Sequence, residues 1–165
     1  MYSIFLPVLI QVGLTLTILA FLPIKRRRDL KADPALMQRA SLDSTLYSED
    51  SRKTANSYGS QFELPVLFYV ACVFAILFGA TGWWTGLLAW TFVLSRIAHA
   101  VIHTTINVVL FRFAAFAVGV FTLALLWLTV AIAAGDAMIF ELDDLQVLRN
   151  QFENGAVYMQ DGFLN

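Results

Sequence analysis

RIAHAVIHTTINVVLFR, residues 96–112, holds two arginines, both of the chain's histidines and an asparagine inside one of its most apolar regions. The chain is 59% hydrophobic and 14% charged. A soluble domain is about half apolar and about a quarter charged, so this composition belongs to the membrane class. A charge near the bilayer centre costs several kcal/mol unless it faces protein or water. The polar groups of 96–112 therefore have to point into a bundle, and the chain has to supply the helices that make one.

Four apolar runs are long enough. A crossing needs roughly 20 residues, and the runs lie at about 2–24, 62–80, 83–110 and 113–134. The fold class expected is an all-α membrane protein, a four-transmembrane-helix bundle spanning 1–134. The first run lacks a basic leader and a small-residue cleavage site, and its basic cluster follows it, so it reads as a retained helix. Between the first two runs lies a polar loop, 25–61. Within it "DPALMQRA" suits a short helix capped by Asp33 with Pro34 at its first position. Residues 135–165 form an acidic tail with helical spacing in Leu142, Leu145 and Leu148.

Charge distribution sets the expected orientation. Eight of the eleven Lys and Arg lie between Lys25 and Lys53, and six of the twelve acids lie from Asp136 onward. Basic loops stay cytoplasmic. This places the loop 25–61 on the cytoplasmic side, with both termini and the tail outside; in a bacterial host the membrane expected is the inner one. "TGWW", 81–84, is then the outer turn, its two Trp in the interfacial belt. Membrane lipid is an expected partner and nucleic acid is not. The single Cys, Cys72, reads as a small buried hydrophobe.

At about 100° per residue, Arg96, His99, His103 and Asn107 share one helical stripe. Glu63 opens the second run about 19 residues before Gly82, and His103 follows Trp83 by 20 residues, so both reach a similar depth. Arg112 opens the fourth run. Glu63, Arg96, His99, His103, Asn107 and Arg112 are thus expected to line a chamber that is basic on balance and suited to a polar anion. Three other readings remain at this point. The residues could tie helices together through buried hydrogen bonds. A basic chamber could hold phospholipid headgroups. His99 and His103, at i and i+4, could serve a metal if Glu63 completed the set, but two histidines alone make a poor site, and none is assigned.

"QFELPVLFY", "RIAHAVIH" and the following "TTINVVLFR" together resemble the MAPEG family, the membrane-associated proteins of eicosanoid and glutathione metabolism. The likeness covers about 52–130 and is nearest to the small bacterial branch. It implies a homotrimer binding glutathione between protomers at the cytoplasmic side. By position, Glu63 matches the residue meeting the tripeptide's amino end. Arg96, His99 and His103 match other binding residues, and Arg112 matches the thiolate-stabilising arginine. Arg52 and Asn56 are implied as further binding residues. Ser60 stands where the family usually has Asn, and Gly59 where a basic residue is frequent. A charge-assisted bond contributes about 1.5–3 kcal/mol, so two such losses lower affinity roughly a hundredfold.

Two functions follow. The first is a membrane-bound glutathione transferase or peroxidase acting on lipophilic electrophiles, with glutathione as co-substrate. The alternative is a catalytically degenerate accessory or structural subunit docking into a larger membrane complex through its tail.

Overall fold

The computed structural model describes residues 2–162, with side chains from 4 to 152. Among these the regular structure is helical: α1 (Tyr2–Ala32), α2 (Leu36–Arg39), α3 (Glu49–Gly59), α4 (Leu64–Leu77), α5 (Trp83–Thr104) and α6 (Val109–Gly162), with single 3₁₀ turns at Ser44–Leu46 and Ser60–Phe62. Four stretches are long and apolar enough to cross a membrane: Ile4–Ala32, Glu49–Leu77, Trp83–Thr104 and Val109–Phe152.

The helices pack in the order α1, α5, α6, α4 around the bundle, and α3 lies on α1 and α5. Consecutive α4 and α5 therefore sit across a diagonal, bridged by Phe68 stacking on Phe92 with centroids 4.4 Å apart. Phe68, Ala71, Cys72 and Ala75 form one buried face of α4, and Leu88, Ala89, Phe92 and Val93 do so on α5. Their spacing of three and four is the helical repeat. The alanines let backbones approach, which is how helices associate where no hydrophobic drive separates them from lipid. At the α5–α6 contact the limit is reached: a Cβ on Gly119 would lie 2.8 Å from Ser95 Oγ. Outward faces stay apolar, with Phe5, Leu16, Val73, Leu94 and Phe121 all exposed. Such a surface suits hydrocarbon.

Several helix ends differ from the hydropathy boundaries. α5 stops at Thr104, not near residue 110. The hydroxyls of Thr104 and Thr105 donate to the carbonyls of Ala100 and Val101, and Asn107 takes φ 50° while its N–H bonds to the Ile102 carbonyl at 2.7 Å. Asparagine is one of the few residues that tolerate this left-handed conformation, and it ends the helix there. Asn107 is thus a turn residue and does not continue the stripe of Arg96, His99 and His103. α4 ends at Leu77, with Gly79 at φ 72° beyond it. α1 runs on through Lys25–Arg28 to Ala32. Its 31 residues rise about 46 Å, well past the roughly 30 Å hydrocarbon core, so the basic end clears the apolar region.

The loop is also more ordered than its polarity suggests. Ser48 caps α3 by accepting the Ser51 N–H. Asp29 on α1 accepts from the Ser48 N–H, the Ser48 hydroxyl and the Ser51 hydroxyl, at 3.2, 2.9 and 2.5 Å. One carboxylate thereby ties the start of α3 to α1. The short helix from "DPALMQRA" begins at Leu36. Asp33 accepts the Ala35 N–H in a turn before it and pairs with Arg39. Beyond residue 134, α6 continues to Gly162, so the tail is a helical extension with Leu142, Leu145 and Leu148 exposed. Phe163–Asn165, the last residues of the expected tail, lie outside the described residues.

Candidate functional site

Arg96, His99 and His103 sit on the face of α5 turned to the bundle and are all buried, Arg96 completely. The spacing of three and four makes them one stripe, and packing of α5 on α6, α1 and α3 encloses it. Arg96 Nη2 donates to the carbonyl and hydroxyl oxygens of Ser60 at 3.0 and 3.1 Å. Ser60 caps the end of α3, and its hydroxyl donates to the Ser57 carbonyl at 2.8 Å. Gln61 Nε2 donates to the same carbonyl at 3.2 Å, and Gln11 Nε2 on α1 donates to Gln61 Oε1 at 2.9 Å. A buried polar chain therefore crosses from α5 through the α3–α4 junction to α1.

The chain of bonds is incomplete. Arg96 Nε and Nη1, His103 Nδ1, Ser57 Oγ and Gln11 Oε1 are buried with no hydrogen-bond partner among the described residues. A buried unpaired donor costs about 1–3 kcal/mol, more when charged. A buried guanidinium also needs a counter-charge, and Arg96 makes no ion pair among the described residues. The expected partner, Glu63, is exposed and forms no ion pair or hydrogen bond among the described residues. It acts on Arg96 only through space. The reason is local. Glu63 falls between the 3₁₀ turn and α4, at φ −92° and ψ −95°. There the Ser60 oxygens reach the guanidinium instead.

Arg112 joins the stripe from α6. Its carbonyl lies 3.1 Å from His99 Nδ1. A carbonyl only accepts, so Nδ1 carries the proton and a neutral ring leaves Nε2 free to accept. Arg112 Nη1 donates to Asn107 Oδ1 at 2.9 Å. The turn residue that reverses the chain thus also holds the guanidinium. The rings of His99 and His103 meet edge to face at 5.8 Å. Arg96, His99, His103 and Arg112 are brought together, with Asn107 orienting the last of them.

Arg52 and Asn56 are placed apart. Both are exposed on α3 and line a separate recess with Arg26 and Tyr47. Arg52 reaches the Thr45 carbonyl at 3.5 Å, and Arg26 lies over the Tyr47 ring at 5.0 Å. Ser57, Gln61 and Gln11 were not singled out from the sequence. Gln11 did leave a signal, being the only side-chain amide within 2–24.

The assembled groups bring two arginines and two imidazoles onto one stripe, with unused donors on Arg96 and, among the described residues, no carboxylate paired to either arginine. Such a site favours an anion. A nearby cation also stabilises a thiolate over its thiol. Compared with curated proteins and with solved structures, the chain finds no match. The MAPEG family model matches residues 4–132, which contain all four crossing segments' apolar cores and every residue of the stripe. The chain belongs to the MAPEG family.

Proposed function

We propose that this protein is a membrane-bound glutathione transferase or peroxidase acting on lipophilic electrophiles. The observation that carries the reading is Arg96, fully buried and holding two donor nitrogens without a partner among the described residues, with Arg112 of α6 meeting the same stripe at His99. Glutathione carries two carboxylates and an amino group, which fit cationic donors and a free carboxylate such as Glu63. When bound, it supplies the thiolate that attacks the electrophilic centre. Arg96, anchored by Ser60, binds a carboxylate. Arg112, held by Asn107, lies where its charge favours the thiolate form. His99 and His103 orient the tripeptide through their ring nitrogens. Glu63 meets the amino end. The protomer would assemble as a homotrimer, which gives exposed Glu63 a neighbour across the subunit boundary. The basic loop would face the cytoplasm of a bacterial inner membrane, with both termini outside.

Purified protein in lipid bilayers, given glutathione and a chlorodinitrobenzene electrophile, should form the thioether and release chloride. Arg112→Ala should lower kcat/KM by at least tenfold. Turnover equal to the uncatalysed rate in wild type would remove the enzyme reading.

A second reading is favoured by two features. Ser60 replaces the family's Asn, and its oxygens are already committed to Arg96. α6 also extends to Gly162, past the length a crossing needs. A degenerate bundle acting as an accessory subunit, docked through that extension into a larger membrane complex, fits both. Co-purification of a defined complex that Asp136-onward truncation abolishes, with no glutathione dependence, would favour it.

A further inference from the structure

A trough of about 320 Å³ runs along the outer face of the bundle between α1, α3 and α5, away from the Arg96–Arg112 stripe. Leu14, Ile18 and Phe21 of α1 form one wall, and Ala100 and Val101 of α5 form the other. Four threonines also line it, yet each spends its hydroxyl proton on its own helix: Thr17 on the Gly13 carbonyl, Thr54 on Asp50, Thr104 on Ala100 and Thr105 on Val101. The walls therefore present methyl groups and ask for no polar partner.

One end differs. Lys25 closes the trough and also borders a second recess with Arg28, Asp29 and Ser48. Lys25 makes no ion pair among the described residues. The acids nearby are partly engaged: Asp29 is bound by Ser48 and Ser51, and Glu49 pairs with Lys53 at 2.7 Å, while Asp50 also borders the recess. Arg27, Arg28 and Lys31 continue the positive rim. From Leu14 to Lys25 the helix rises about 16 Å. That is half of the roughly 30 Å hydrocarbon core, the depth of a single leaflet.

We propose that this trough is a binding site for an anionic phospholipid, with one acyl chain between α1 and α5 and the phosphate on Lys25 and Arg28. The dry apolar wall suits a hydrocarbon chain. Its length suits one leaflet, and the free cation at its mouth selects a negative headgroup over a zwitterionic one. The site is separate from the proposed glutathione site and does not depend on it.

Native mass spectrometry of the full chain, released from nanodiscs of equal phosphatidylglycerol and phosphatidylcholine, tests this. Wild type should retain phosphatidylglycerol in preference to phosphatidylcholine. Lys25→Glu should lower that retention by at least fivefold, the factor matching about 1 kcal/mol per membrane-facing cation, and Lys25→Arg should keep it. Val101→Trp, at a half-exposed wall position, should remove retained lipid of either kind. Circular dichroism of each variant checks that the helices persist. Absence of retained lipid on wild type, equal retention of the two lipids, or wild-type retention in Lys25→Glu or Val101→Trp would each overturn the proposal.

Discussion

Replacing Gly119 with alanine would put a methyl carbon 2.8 Å from Ser95 Oγ, about 0.6 Å inside an ordinary contact at 3.4 Å. The Ser95 hydroxyl cannot yield freely, because it donates to the Phe92 carbonyl at 2.6 Å on its own helix. Either that bond breaks or α5 and α6 separate. Overpacking of this kind costs about 1–3 kcal/mol. The Ser95 Cβ, in contrast, lies 4.0 Å from the same position, so removing the hydroxyl removes the clash. Gly119→Ala should therefore destabilise the bundle by about 1–3 kcal/mol, and Ser95→Ala with Gly119→Ala should recover most of it. The residues touch, so their effects should couple by about 0.5–3 kcal/mol. Equilibrium unfolding of wild type, both single variants and the double variant in mixed micelles measures the coupling. Additive single effects would refute the reasoning. The same contact adjoins Arg96, whose Cδ lies 3.8 Å from the added methyl, so activity should track the same cycle.

Asn107 combines a left-handed backbone with a hydrogen bond to Arg112. Asn107→Gly should keep the turn and release the guanidinium, lowering glutathione turnover with little change in stability. Asn107→Ala should in addition cost about 1–2 kcal/mol of folding stability, because a Cβ without the amide is strained there. Equal stability of the two variants would contradict this. Asp29→Ala removes the three bonds that hold Ser48 and Ser51 to α1. Trypsin should then cut faster after exposed Arg39 in the connecting loop, and an unchanged digestion rate would show that the carboxylate does not secure it.

Hydropathy alone carried the number of crossings, because lipid-facing residues are apolar on every helix. It did not carry their ends. α5 terminates where threonine hydroxyls and the left-handed Asn107 meet, inside a stretch that stays apolar through Leu110. α1 and α6 outrun their apolar segments because Lys, Arg, Glu and Leu are good helix formers in or out of lipid. At the site, Arg96, His99 and His103 were legible from the spacing of three and four. Arg112 was legible from its place at the start of the fourth run. Ser60 as the anchor of Arg96 was not, since one of its two acceptors is a backbone carbonyl, and no side-chain pattern records that. Arg52 and Asn56 share a helix with buried Ser57, but they occupy its exposed face and line a different recess, which the sequence order of the loop does not reveal.

The central claim is that the cationic interior holds glutathione. Titration calorimetry of the purified protein in detergent tests it directly, with Arg112→Ala and Glu63→Ala alongside. The account predicts saturable binding with Kd of about 1 mM or tighter, near −4 kcal/mol, weakened at least tenfold in both variants. No saturable heat with glutathione up to about 10 mM, a level at which even a −3 kcal/mol site fills appreciably, would contradict it.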